Sequence, residues 1–238
     1  MRQRQSRLGC KKLYNQIKPE LVERGIKIGR DRVIKLLGEH GMHIEKRRKY
    51  RRTTYSNHSY AVAPNRIKKL KVNKANQVFV SDITYISLKN GFCYLYLVTD
   101  LYSRKIVGYN LRKDLKHEGA IKALGMAIDN ISDTERIIHH SDRGCQYCCH
   151  SFLDFLRENR MVSSMTDESH CYQNAVAERV NGILKDEFYL DISFKSFSDA
   201  LKATASAIKI YNRERIHWSL ALKTPNDVYF QEKTKLAA

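Results

Sequence analysis

The pattern from Gln77 onward limits this chain more than any other feature of it. Three runs rich in β-branched and aromatic residues, Val78–Ile86, Phe92–Thr99 and Lys105–Asn110, follow one another closely, separated by Lys89-Asn-Gly and by Asp100–Arg104. Asn-Gly between such runs is a strong hairpin signal, so the spacing predicts a three-stranded meander. Beyond it the periodicity predicts a helix at Lys116–Ile128, a short strand at Arg136–His140 and a helix at Ser151–Arg157. A strand at Met161–Met165 and helices at Asn174–Phe188 and Phe197–Asn212 complete the order. Strands first in a meander and then alternating with helices predict a mixed α/β domain.

The residues before this domain have a different character. Residues 1–75 carry 22 Lys and Arg against 5 Asp and Glu, whereas the rest of the 238-residue chain is nearly balanced at 21 against 20. Almost all of the net charge of +18 therefore sits in the first third, which points to a polyanion-binding arm. Phe and Trp are absent from that third and no lipidation motif occurs there, so nucleic acid is favoured over a membrane surface. No run approaches 18 apolar residues, so no bilayer span is expected, and no apolar stretch follows the basic start, so no secretory signal is visible.

Within the arm, Leu13, Ile17 and Leu21 form a helical stripe broken by Pro19, which reads as the first turn of a second helix. Arg30–His40 is a cleaner helix with Gly41 as its C-terminal cap. The pair around Glu23-Arg-Gly-Ile, with Arg30, Arg32 and Lys35 on the second helix, looks like a helix-turn-helix. An ordinary helical hairpin with a solvated basic face fits the spacing equally well. Lys46-Arg47-Arg48-Lys49-Tyr50-Arg51-Arg52 and Lys68–Lys74 read as a linker that tracks phosphates.

Three acids stand where strands or helices would present them. Asp82 lies inside the first strand, where a carboxylate is costly unless it meets a cation. Asp142 follows the short strand ending at His139-His140-Ser141, where open α/β sheets commonly place ligands. Glu178 belongs to a polar line, Asn174, Glu178, Asn181 and Lys185, on a helix whose other side carries Val176, Val180, Ile183 and Leu184. Singly each acid is more simply structural; together they suit Mg²⁺, an ion that prefers oxygen ligands and retains waters. Two such ions about 3.5–4 Å apart serve phosphodiester chemistry. The order of elements fits a ribonuclease-H-like core with a mixed five-stranded sheet and helices, preceded by the small helical region.

Four segments carry a resemblance: Asn76-Gln-Val-Phe-Val-Ser-Asp-Ile-Thr-Tyr-Ile, Thr99-Asp-Leu-Tyr-Ser-Arg-Lys-Ile-Val-Gly-Tyr, His140-Ser-Asp-Arg-Gly-Cys-Gln-Tyr and Gln173-Asn-Ala-Val-Ala-Glu-Arg. They resemble the transposases of the bacterial IS-three insertion-sequence family, which share the DDE core of retroviral integrases. Thirty-five residues separate Asp142 from Glu178, and Lys185 stands seven beyond that Glu, both as in the family. Tyr211-Asn-Arg-Glu-Arg-Ile-His-Trp-Ser-Leu and Thr224-Pro resemble its C-terminal motif. Phe79 stands where the family often has Trp, and Gln173 where many members have Asp.

The resemblance implies a metal-binding triad of Asp82, Asp142 and Glu178, with Mg²⁺ as cofactor and Mn²⁺ as its substitute. It implies DNA contacts by Lys185, Asn181, Arg143, Arg30, Arg32, Lys35, Arg47, Arg48, Arg215 and His217. For Arg215 and His217, a role in holding the C-terminal helix weighs as much as DNA contact. The implied division is 1–45 helix-turn-helix-like, 46–75 basic linker, 76–190 catalytic core and 191–238 helical extension. The implied partners are the terminal inverted repeats of the element, target DNA and further copies of the chain, in the bacterial cytoplasm at the nucleoid. The chain also looks like the downstream half of a frameshifted product, whose upstream segment would bind DNA.

Other readings are weaker. Asp100 reads as structural, paired with Arg104. His139 and His140 adjoin Asp142 and read as packed or solvated side chains ahead of a substrate contact, and Trp218 as a packing anchor ahead of a base-stacking group. Cys145, Cys148, Cys149, His150, His170 and Cys171 can be drawn as a zinc site, but the first pair falls in the Asp142 loop as small replacements for the family's Ser or Thr. Two rival functions are a DNA-binding regulator without catalysis and a ribonuclease-H-like nuclease that only hydrolyses.

Overall fold

The computed structural model describes residues 1–5, 7–42, 44, 62–129, 131, 133–167 and 174–236. The Arg47 and Arg48 segment, Gln173, His170 and Cys171 lie outside the described residues.

Two helices open the chain, α1 (Cys10–Glu23) and α2 (Arg30–Glu39). Pro19 sits inside α1 rather than starting a second helix. It forfeits one backbone bond, and the helix runs on for another turn to Glu23. Both helices end alike, with a glycine at positive φ (Gly25 at 69°, Gly41 at 66°). The next amides close back onto the last turn, Ile26 N–H to the Leu21 carbonyl at 2.8 Å and Met42 N–H to the Leu37 carbonyl at 2.7 Å. These are Schellman closures, which need the left-handed conformation that glycine adopts without penalty.

The core is a five-stranded sheet of β1 (Val78–Leu88), β2 (Gly91–Asp100), β3 (Ile106–Arg112), β4 (Ile138–Ser141) and β5 (Val162–Met165), in spatial order β3-β2-β1-β4-β5. β1, β2 and β3 form the antiparallel meander, while β4 pairs parallel to β1 and β5 parallel to β4. The Asn-Gly pair sits one residue later than a two-residue hairpin would put it. Leu88 pairs with Gly91, so Lys89 and Asn90 form the loop and Gly91 supplies the positive φ of 107°.

Strand alternation divides β2 between two cores. Tyr96 and Val98 face one layer, made by α3 (His117–Ile128) and α5 (His150–Glu158) with Phe152 and Leu156. Leu95 and Leu97 face the other, made by α6 (Ala175–Phe188) and α7 (Phe197–Glu214) with Val180, Ile183 and Ile208. Both faces of the sheet are therefore covered, as the near-continuous burial from Leu95 to Asp100 requires. Helix α3 lies so close on β3 that a Cβ at Gly108 would stand 2.0 Å from the Ala123 carbonyl oxygen. A short helix α4 (Cys145–Cys148), a 3₁₀ turn at Trp218–Leu220 and α8 (Pro225–Leu236) complete the chain.

The Tyr211-Asn motif docks α7 onto the sheet. Tyr211 Oη donates to the Arg104 carbonyl at 2.9 Å, and the Asn212 amide pairs with both backbone groups of Ile106 at 2.9 and 3.0 Å. Arg215 then ties the end of α7 to α6 through two bonds to Glu187, at 2.6 and 2.7 Å. Among the described residues no helix is long and apolar enough to cross a membrane.

Candidate active site

Asp82 and Asp142 rise from neighbouring parallel strands at one level. Val80 of β1 pairs with His140 of β4, and each acid lies two residues beyond its strand's member of that pair. Residues two apart share a face of a strand, so Asp82 points, like Val80, toward the layer that contains α6. The turn after Asp142 gives it room: Gly144 N–H donates to its Oδ1 at 3.0 Å, and a Cβ on Gly144 would sit 3.1 Å from the same oxygen.

Helix α6 brings the third acid. Asn174 Nδ2 donates to the Ser81 carbonyl at 2.9 Å, and Asn181 Nδ2 donates to Asp82 Oδ2 at 2.7 Å. Between these two clamps the same helical line carries Glu178. Strand β1, the turn after β4 and helix α6 thus bring the three acids near enough to feel one another's charge. Asp82 retains some exposure, yet burial and then the charge of Asp142 push its carboxyl up to about 7, with Glu178 adding to the rise. The same two causes, burial first and Asp142 second, raise Glu178.

Carboxylates that raise one another form a set whose repulsion a divalent cation would relieve, and every atom offered is a hard oxygen of the kind Mg²⁺ prefers. Among the described residues they do not close into a preformed three-ligand cluster. The set fits an ion held jointly with waters and substrate oxygens.

The remaining candidates separate. Lys185 stands over the Tyr85 ring, 4.7 Å from its centre; burial lowers its pKa, partly offset by Asp82. It borders the carboxylates, as the helical line predicts. Asn181 is buried and its amide donates to Asp82, so it positions a carboxylate rather than offering itself to a strand. Arg143 bonds the Thr166 carbonyl at 2.9 Å. Arg215 is 1% exposed and engaged by Glu187, which makes it a brace for the extension instead of a surface contact. His217 accepts from Arg215 Nη1 at 3.0 Å and is driven down to about 3 by burial and then by Arg215. Arg30, Arg32 and Lys35 are exposed on α2, with Arg30 beside Asp31 and Arg32 beside Glu39.

Asp100 is structural, held chiefly by hydrogen bonds, with the Arg104 charge adding a weaker attraction. Its carboxylate accepts from Ser103 N–H and Oγ and from Asn76 N–H, at 2.7, 2.5 and 2.8 Å. His139 and His140 are both buried, bonded to Ser81 Oγ and Ser164 Oγ at 2.8 and 2.9 Å. Burial drives His139 down to about 3, so it is a neutral strut under the strand ends. Cys148 is buried against Met165, and Cys149 bonds the Gln146 carbonyl. Trp218, expected as a packing anchor, is 56% exposed. The positioning role of Asn174 was visible in the sequence only as its place on the Glu178 line.

Comparison with known proteins bears on this geometry. Residues 72–171 and 159–225 match models of the integrase core domain. An uncharacterized 31 kDa protein of insertion element IS600 from Shigella sonnei is 36% identical over 92% of this chain and 80% of its own length. A putative transposase for insertion sequence element IS986/IS6110 from Mycobacterium tuberculosis is 30% identical over 88% of this chain and 76% of its own. The HTLV-2 integrase catalytic core domain, solved with magnesium, superposes with a TM-score of 0.54 at 19% identity, covering 67% of this chain and 99% of that one. A chain of the simian T-cell lymphotropic virus intasome superposes with a TM-score of 0.57 at 20% identity, covering 93% of this chain and 74% of that one. At such identities the structural likeness speaks for the ribonuclease-H-like fold.

Proposed function

Since the chain belongs to the insertion-sequence transposases built on an integrase core domain, we propose that it cuts and joins DNA strands at the ends of a mobile element, with Asp82, Asp142 and Glu178 as its catalytic carboxylates. One observation carries the assignment. Three acids from separate elements converge closely enough that Asp142 and Glu178 raise the Asp82 pKa.

Asp82, Asp142 and Glu178 would hold the metal, Mg²⁺ or in its place Mn²⁺. When bound it supplies Lewis-acid polarisation of phosphoryl oxygens and activation of the attacking oxygen. Asn181 Nδ2 and the Ile83 N–H each hold one Asp82 oxygen, at 2.7 and 2.9 Å, which fixes the carboxylate's orientation at the strand end. Gly144 N–H orients Asp142 through a bond to its Oδ1 at 3.0 Å. Lys185, at the edge of the carboxylate set, would neutralise a backbone phosphate of the strand being processed.

In the first reaction a water oxygen bonds to phosphorus at the element end, the bond to the 3′-oxygen breaks, and that oxygen leaves protonated as a free 3′-hydroxyl. In the second, this hydroxyl attacks a target phosphodiester, losing its proton as a new phosphorus–oxygen bond forms and the target's own 3′-oxygen departs.

The exposed Arg30, Arg32 and Lys35, with Arg47 and Arg48, would grip DNA outside the core. Two element ends must be held together, which calls for more than one copy of the chain. An upstream frameshift-fused segment would add recognition of the terminal repeats, and the work would take place on bacterial DNA in the cytoplasm.

Glu178→Gln tests the reading against that of a regulator. It is expected to abolish strand cleavage while DNA affinity stays within about twofold, since one neutralised acid cannot weaken attraction to phosphate. Cleavage by the Gln variant at the parent rate would overturn the assignment.

A further inference from the structure

A cavity of about 340 Å³ opens beside α6, between α1, the end of α7 and the 3₁₀ turn. Its volume is at the low end for ligand sites, roughly 300–1,000 Å³, and accommodates a group of nucleotide size. Four cationic side chains line it: Lys12, Arg104, Arg179 and Arg215. Two carboxylates answer them: Glu187 is bonded twice to Arg215 and stands 3.8 Å from Lys12, and Asp100 attracts Arg104. A surplus of positive charge therefore remains in a half-enclosed space.

That surplus carries a cost at named atoms. Burial and then Arg215 push Lys12 down to about 8. Arg104 Nη1 is buried with no hydrogen-bond partner among the described residues, so a charged donor has given up its hydration with no hydrogen bond in return. A bound anion would answer each of these costs.

The lining says which anion. Val176, Val180 and Ile183 make apolar wall, and Trp218 stands in the lining with more than half of its surface exposed. A bare phosphate has no use for an indole, whereas cations beside an open aromatic face are how single strands are held, phosphate on one and base on the other. Arg179 follows Glu178 directly on α6, so the cavity and the carboxylates occupy neighbouring flanks of one helix.

We propose that this cavity docks one unpaired nucleotide of the DNA being processed, with its phosphate between Lys12, Arg104 and Arg179 and its base on Trp218. The proposal rests on the strand-processing reading above and names a contact outside the carboxylate centre.

Trp218 is the sole tryptophan of the chain, so its fluorescence reports directly on the cavity. The full chain is titrated with 5′-phosphorylated oligothymidylate in EDTA, and in parallel with a duplex of equal length and with inorganic phosphate. Saturable quenching by the oligothymidylate is expected, with weak or no quenching by the other two. Arg179→Ala, a change at an exposed position, is expected to weaken oligothymidylate binding roughly tenfold, equivalent to about 1.4 kcal/mol. Glu178→Gln should quench as the parent does, because no metal takes part. Absent quenching, equal quenching by duplex or phosphate, or unchanged affinity in Arg179→Ala would each overturn the site. Quenching by a chain that cuts no DNA would leave the site standing and refute the strand-processing reading, while cutting without quenching would do the reverse.

Discussion

Replacing Arg215 with Ala separates a brace from a DNA contact. The guanidinium is 1% exposed and makes two bonds to Glu187, whose side chain is 17% exposed. Removing the cation strands a mostly buried carboxylate, a change that costs about 3–5 kcal/mol when nothing compensates. Lys12, 3.8 Å from the same Glu187 oxygen, offers partial compensation, which places the expected loss near about 3 kcal/mol. For a chain of this size each kcal/mol moves Tm by about 2–4 °C, so the fall should be about 6–12 °C. Thermal melting followed by circular dichroism measures it. The double change Arg215→Met with Glu187→Leu removes both charges and should recover most of the loss, because a buried pair replaced by apolar side chains is often nearly neutral. A fall below about 2 °C in the single variant, or a double variant no better than the single, would refute the brace. Had Arg215 been a surface contact, its loss would weaken DNA binding and leave the melt unchanged.

Gly108→Ala should disrupt the fold, since the new Cβ would meet the Ala123 carbonyl at 2.0 Å and the Ala127 amide at 2.9 Å. Overpacking of this kind costs about 1–3 kcal/mol or more, and a urea midpoint equal to the parent's would contradict the close approach of α3 to β3. His217 is held near 3 in the folded chain against an ordinary value of 6.5. The unfolded chain therefore binds the extra proton first, and the stability that neutral His217 provides is complete above 6.5 and lost as pH falls toward 3. His217→Gln should flatten the fall in stability across that window, and an unchanged slope would show that His217 is not buried neutral. Lys185→Gln should reduce the slope of log affinity against log salt by about 0.7–0.9, the share of one phosphate contact. An unaltered slope would remove Lys185 from the DNA path.

Most of the sheet was legible because its signal is local. The β-branched and aromatic runs Val78–Ile86 and Phe92–Thr99 and the turn at Asn-Gly require only neighbours in sequence, and both strands emerge within a residue or two of expectation. Helix α4 was missed because four residues, Cys145–Cys148, are too few to show a helical period. Pro19 misled because its rule concerns an isolated helix, whereas α1 is also held by packing through Leu13. The convergence of Asp82, Asp142 and Glu178 was readable from their places on elements. What those places could not reveal is which polar groups are already engaged: Asn181 by Asp82, Arg215 by Glu187, Arg143 by Thr166. The cationic cavity left no mark in the sequence, because Lys12, Arg104, Arg179 and Trp218 come from four distant segments and share no spacing. The exposure of Trp218 is likewise decided by which neighbours the fold brings to it.

The most direct test of the three-carboxylate centre is strand transfer run in reverse. A branched DNA that imitates a joined product is incubated with the chain in Mg²⁺ or Mn²⁺, beside Asp82→Asn, Asp142→Asn and Glu178→Gln. This reaction needs the core and little recognition of element ends. The account predicts that the parent releases the branch and reseals the target strand, yielding a joined product of defined length, while each variant binds the same DNA and yields none. Resealing by any one of the three variants at the parent rate would contradict it, as would a parent that cuts the branch without ever joining a strand.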